Sequence, residues 1–272
     1  MQKEYIVDGV SKEIEWWLDQ RIKKIREDRH DTMEINPFMA PLIFAIHGHE
    51  SFYDLADFLL GGHFSIGHAT GFGKLIDEKI LPKVFGTIKL DKKLRSRGIF
   101  NEACFDNIDH VVNKNGKEYL LSLKASKWTI QLGQAVELNR SFKEIRDLFF
   151  AAQHTHDHII IATFYGKTEN LTDKYRLVKG ISFGADHKVY NLENYVTVLS
   201  GVRFWSWLGD HPDTQFWVLE GILKGIERRK EALQEAQELM HNFRKSFSDK
   251  YSRFINKDHT INWKGFLEHS NG

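Results

Sequence analysis

The dipeptide Asn115-Gly116 restricts this chain more than any other short stretch. Both residues tolerate the positive φ that a two-residue type I′ turn demands, and such turns match the twist of the strands they join. On one side stand Ile108, Val111 and Val112, and on the other Tyr119 to Leu123, so the flanks read as strands. A two-residue turn closes Lys114 against Lys117, and paired positions then sum to 231. Asp109 falls opposite Ser122, where cross-strand Cβ atoms lie about 5 Å apart and diagonal neighbours within roughly 8 Å. Alternation along the strand brings Lys124 to the same face as Ser122. Asp106 has the opposite parity and is excluded from that face.

The segments around the hairpin read as a mixed α/β protein. Ser11 to about Asp28, Pro37 to Ile46 and Ser51 to Leu60 carry helical patterns. A glycine- and histidine-rich connection, Gly61 to Gly73, leads to a short helix ending near Pro82. From about Val84 to Lys124 strand-forming residues dominate. Thr129 to Ala152 returns to a helical period through Val136, Phe142, Ile145 and Phe149, and His158 to Tyr165 is an apolar run suited to a buried strand. The expected fold is a mixed central sheet flanked by helices, with further N- and C-terminal helices: 1–83 helical, 84–209 the α/β core, and 210–272 helical and the candidate dimer contact.

After Pro212, apolar residues recur at helical spacing from Leu219 to Phe254, among them Phe243 and Phe247. About 44 residues at roughly 1.5 Å each would make a rod near 66 Å. A domain of this size does not cover such a rod, so either the helix breaks or its apolar seam meets a second subunit.

Composition bounds the function classes. With 272 residues, 42% hydrophobic and 13% aromatic, the chain can build a sizeable core. A formal net charge of +1 argues against a uniformly basic protein and leaves room for a local basic groove. The single cysteine, Cys104, precludes an internal disulfide and fits a reducing compartment. Met1 to Trp17 lacks the order of a secretory signal, and no apolar run reaches the ~18–20 residues of a membrane span. The expectation is a soluble cytoplasmic protein with no membrane partner.

Asp109, Ser122 and Lys124 together resemble the PD-(D/E)XK nuclease superfamily, in which an aspartate on one strand meets acid-x-lysine on the next. Two departures stand out: Ile108 occupies the usual proline position, and Ser122 the acidic one. A branch of restriction enzymes shares the second departure and takes its other carboxylate from the following helix, about a dozen residues past the lysine. Glu137 stands there, after twelve intervening residues. Trp16-Trp17, the chain length and the segment Leu120 to Trp128 further resemble type II restriction endonucleases that read the interrupted palindrome RGGNCCY. The resemblance implies a homodimer on double-stranded DNA, each subunit cutting one strand. It also implies one or two Mg²⁺ ions held by Asp109 and Glu137, with Lys124 beside the attacking water or the phosphate and Ser122 in a supporting place.

Each residue also has an ordinary reading. Asp109 would be an exposed strand acid, Lys124 a solvated strand end, and Glu137 a partner of Arg140 on its helix. A structure-reading repair or resolving nuclease of the same fold, and a DNA-binding module without cleavage, are the alternatives. Lys89 to Arg97 packs five basic residues into nine. Lys92, Lys93, Arg95 and Arg97, with Lys127 and Trp128, are therefore candidate DNA contacts, of the kind that orient a protein without specifying sequence. His154-Thr-His156-Asp157-His158 resembles the metal motif of metallo-β-lactamase-like hydrolases, but it is one residue short and sits between a helix and a strand in reversed order. His47, His49, His63 and His68 form a second histidine group with no zinc-ligand spacing.

Overall fold

A computed structural model describes residues 1–27, 35–124, 130–152, 156–181 and 189–271. Its helices are α1 (Lys3–Glu27), α2 (Met39–His47), α3 (Phe52–Leu75), α4 (Leu81–Phe85), α5 (Lys92–Arg95), α6 (Leu132–Ala151), α7 (Asp173–Val178), α8 (Val202–Gly209), α9 (Thr214–Arg228), α10 (Lys230–Tyr251) and α11 (Trp263–Asn271). The strands are β1 (Ile88–Lys89), β2 (His110–Lys114), β3 (Lys117–Lys124), β4 (His156–Thr163) and β5 (Val196–Ser200). None of the described helices is long and apolar enough to cross a membrane.

The chain clusters into two units, each built from two stretches: Met1–Glu13 with Gly73–Gly225, and Ile14–Phe72 with Ile226–Gly272. The sequence-derived stretch 84–209 lies wholly in the first, whereas 1–83 and 210–272 are each divided between both.

The first unit holds a five-stranded sheet in the order β1-β2-β3-β4-β5. Strands β1, β2 and β3 pair antiparallel; β3, β4 and β5 pair parallel. The turn is the expected one: Asn115 has φ 52° and Gly116 φ 73°. Every ladder pair of β2 with β3, from Lys114↔Lys117 to His110↔Leu121, follows the 231 register. Parallel strands need a covering crossover, and α6 supplies it between β3 and β4. Its start is fixed by a capping box in which Gln131 and Gln134 satisfy each other's backbone amides. Val111, Leu120, Ile159, Ile161 and Val196 from the sheet join Leu138, Phe142 and Ile145 of α6 in one core.

In the second unit, aromatic residues from helices far apart in sequence make the core: Phe44, Phe52, Phe247, Tyr251, Phe254 and Phe266, with Phe243 against them. The apolar seam of α10 is thus used within the chain. The long C-terminal rod does break, at Arg229 between α9 and α10.

Two other expectations need correcting. Gly61 to Gly73 is helical, part of α3. Each glycine costs about 1 kcal/mol relative to alanine in a helix. No proline interrupts between Pro41 and Pro82, and α3 is anchored through buried Phe52, Leu55, Ala56 and Leu60 at one end and Leu75 at the other. Pro82 likewise begins a helix where an end was expected. It sits in the first turn of α4, after a π-helical turn over Ile76–Ile80, and Gly86 closes that helix in the left-handed region.

Asn139, fully buried on α6, stitches the crossover to the segment before β5. Its amide nitrogen donates to the carbonyls of Val178 (2.9 Å) and Tyr190 (2.8 Å), and its oxygen accepts the Tyr190 N–H at 2.8 Å. Asn139→Leu keeps the branched shape and strands the buried Val178 carbonyl and two partly buried backbone groups of Tyr190, so a loss of roughly 2–3 kcal/mol is expected in denaturant titration. A loss below about 1 kcal/mol would show that these bonds do not hold the crossover.

Candidate active site

Asp109 stands one residue before β2, and three local features fix it there. Arg95, on α5, donates to the carbonyls of Leu90, Phe105 and Ile108, so its guanidinium gathers the backbone on both sides of the 3₁₀ turn Ala103–Asn107. The Asp109 carbonyl accepts the Leu90 N–H at 2.9 Å, and its own N–H donates to Leu121 O at 2.8 Å. Its side chain then reaches across, Oδ2 accepting the Leu123 N–H at 2.6 Å. The expected Asp109–Ser122 ladder pair is therefore absent. The ladder stops at His110, and the carboxylate itself takes the next amide of β3.

Ser122 and Lys124 alternate with Leu120 on β3, so they share the face that α6 covers. Ser122 is fully buried, and its hydroxyl has no hydrogen-bond partner among the described residues. Lys124 is partly buried. Burial raises the Asp109 carboxyl above its ordinary value, and the Leu123 N–H and the Lys124 charge oppose that only in part. Burial also lowers Lys124, with Asp109 opposing. Both shifts point toward the neutral forms, so the mutual attraction is smaller than the desolvation each group suffers. Neither residue is the solvated strand residue of the ordinary reading.

A second buried polar group, unmarked in the sequence, adjoins the first. The His110 ring is fully buried, with Nδ1 2.9 Å from Thr87 Oγ1 and Nε2 2.7 Å from Asp77 Oδ1. The other Asp77 oxygen accepts from Lys89 Nζ. Burial works to raise Asp77, but its bonds to His110 and Lys89 outweigh that and hold the carboxyl below the usual range. The Asp77 charge in turn helps to raise Asp109. Asp77 lies on the π-helical turn, 33 residues before His110 in sequence, and only folding brings them together.

Glu137 stands exposed on α6, and the charges that act on Asp109 are those of Lys124, Asp77 and His110. Among the described residues no group of three or more His, Cys, Asp and Glu side chains is arranged to hold a metal ion. The basic run divides in two. Lys92, Lys93 and Arg97 are exposed, while Arg95 is spent on backbone carbonyls and Lys89 on Asp77. Asp106, excluded on parity, is exposed and lies 3.9 Å from Arg95. Lys127 and Trp128 lie outside the described residues, as do His154 and the side chains of His156 and Asp157. Of the other histidines, His47 and His49 stack 5.6 Å apart and His68 packs on Trp17 at 6.0 Å. Cys104 is buried, its thiol pushed up to about 11, which makes it a poor nucleophile.

The chain matches no protein-family model, and no curated protein is significantly similar to it.

The raised carboxyl has a thermodynamic consequence. The folded chain binds the Asp109 proton more tightly than the unfolded chain, so the charged form weakens folding above the folded pKa. That penalty fades as pH falls toward the ordinary aspartate value of about 3.9. Asp109→Asn, which keeps an acceptor for Leu123, should raise the melting temperature of the metal-free protein at neutral pH by a few degrees. The difference should shrink on acidification. A variant that melts below the wild type at neutral pH would contradict the desolvation account.

Proposed function

We propose that this chain is a Mg²⁺-dependent endonuclease for double-stranded DNA, a type II restriction enzyme acting as a homodimer on RGGNCCY. The observation that carries the reading is the end of the β2–β3 hairpin. Asp109 and Lys124 sit there partly buried beside each other, and the unpartnered Ser122 hydroxyl is on the face of Lys124. A buried carboxylate and ammonium that do not satisfy one another are costly to the fold, and such pairs concentrate at functional sites.

The donor set fits Mg²⁺ better than zinc. The Asp109 carboxylate and the Ser122 hydroxyl are the donors there, and Mg²⁺ takes one or two protein carboxylates and fills its remaining positions with water and substrate phosphate. Asp109 would hold the ion, and Ser122 one of its waters. When bound, the ion would supply positive charge to the scissile phosphate and make water a better nucleophile at neutral pH. Lys124 donates an N–H to the attacking water or to a phosphate oxygen, and its desolvated ammonium acts more strongly there than it would in water. Hydrolysis forms a bond from the water oxygen to phosphorus and breaks a P–O ester bond; one water proton goes to the departing ester oxygen and the other to solvent. The exposed Lys92, Lys93 and Arg97 would contact phosphates, whereas Arg95 shapes the site from within. Glu137, exposed on α6, would supply the second carboxylate.

Long mixed-sequence DNA incubated with and without Mg²⁺ tests the reading on a gel. Discrete Mg²⁺-dependent fragments with ends in RGGNCCY are expected. A smear would point to a nuclease that reads structure, and uncut DNA with folded protein would leave a binding module. Asp109→Ala and Lys124→Ala should each lower cutting on the order of 10³-fold, with the fold retained. Glu137→Gln should raise the Mg²⁺ concentration for half-maximal cutting by about tenfold or more. An unchanged requirement would remove Glu137 from the site and leave Asp77 as the remaining carboxylate near Asp109.

A further inference from the structure

Helix α9 presents two unlike faces. Inward, Thr214, Val218, Gly221 and Gly225 are buried. A Cβ on Gly221 would lie 2.7 Å from Val10 Cβ and 2.8 Å from the Val7 carbonyl, so glycine lets α9 approach α1 closely. Two ion pairs join the same helices, Lys3–Glu220 at 2.8 Å and Asp8–Lys224 at 2.7 Å. Outward, four large apolar side chains follow one another at spacings of three, four and three. They are Phe216 (58% exposed), Leu219 (50%), Leu223 (57%) and Ile226 (39%).

From this stripe we infer that α9 is the contact between two copies of the chain, packed antiparallel about a two-fold axis at the level of Gly221. The spacing is the same read from either end. A two-fold there sets Phe216 against Ile226 of the second copy and Leu219 against its Leu223, and an isologous contact requires such self-matching. At ~200 Å² for a fully exposed large side chain, the four leave roughly 400 Å² of apolar surface per copy. Two copies would bury roughly 800 Å² from the stripe alone, a large share of the ~1,200–2,000 Å² of a stable interface.

The acidic groups beside the stripe are already paired within the chain, Glu220 with Lys3 at 2.8 Å and Glu227 with Lys230 at 3.9 Å. The flank therefore offers no surplus positive charge to a phosphate backbone or an anionic membrane surface, and it does not hinder an apolar helix. The inference rests only on the two-subunit part of the proposed function, not on its chemistry.

Light scattering on the full chain over a dilution series tests it. The expected mass is twice the 31.8 kDa of one chain. Leu219→Asp with Leu223→Asp should weaken self-association on the order of 100-fold. Because both side chains are half-exposed in one copy, the variant's melting temperature should match that of the wild type diluted until it dissociates, since both then lack the contact. Leu42→Asp with Ile46→Asp, on another exposed apolar helix face, serves as the control and should leave the dimer intact. A monomeric wild type overturns the inference, as does a dimer that survives the α9 changes or dissociates with the α2 changes. DNA cutting is scored separately: a dimer that depends on α9 but never cuts overturns the nuclease reading and leaves this surface standing.

Discussion

The register of the β2–β3 hairpin places Asp109, Ser122 and Lys124, and it is held from both ends. At the turn, Asn115 and Gly116 accept the left-handed backbone that a two-residue loop needs. At the far end, Arg95 ties down the carbonyls leading into Asp109, and Asp109 in turn caps β3 through the Leu123 amide. Between them Val111 and Leu120 are buried against α6. A slip of one residue would turn Val111 and Leu120 out of that core and move Ser122 and Lys124 to the opposite face. Core packing and the placement of the site are therefore the same constraint.

Two partly buried carboxylates near one another show what distinguishes a structural network from a reactive one. Asp77 has a partner on each oxygen, the His110 ring is bonded at both nitrogens, and the Asp77 carboxyl is held below the usual range. A satisfied group of this kind fixes β1 and β2 against the π-helical turn. Asp109 has the Leu123 amide and a partly buried lysine, its carboxyl is pushed up, and Ser122 lies nearby without a partner. The surrounding core tolerates this cost. A bound cation or a substrate phosphate would remove much of it, because either supplies the charge that burial has taken away.

What the sequence revealed follows how local each signal is. The hairpin was legible because its turn residues and its alternation lie within eighteen residues, Asn107 to Lys124. The α6 crossover was legible from its period. Asp77 was not, since nothing near Ile76–Ile80 marks it until His110 and Lys89 arrive from elsewhere. Arg95 looked like one basic residue among five, and sequence charge does not tell a phosphate ligand from a clamp on backbone carbonyls. Glycines suggested a loop between Gly61 and Gly73, yet α3 continues because packing at both its ends overrides local propensity. The rod after Pro212 hid its break because the apolar period runs on past Arg229, although its two halves use that period differently.

That last difference bears on how the chain manages exposed apolar surface. On α10, Phe243, Phe247 and Tyr251 are absorbed by the aromatic core of their own unit. On α9, glycine takes the inward face, where it permits close contact with α1 but contributes little apolar burial of its own. The large side chains of α9 point outward, the reverse of what an isolated amphipathic helix does. A helix arranged this way gains most of its hydrophobic stabilisation only when something covers it. Burying the stripe at about 25 cal/mol per Å² would give roughly 10 kcal/mol per copy before the entropy of association is counted. Such a gain is large against the net stability of a typical domain. A change on the outer face of α9 would therefore alter association while sparing the fold, and a bulky residue at Gly221 would disturb the fold itself.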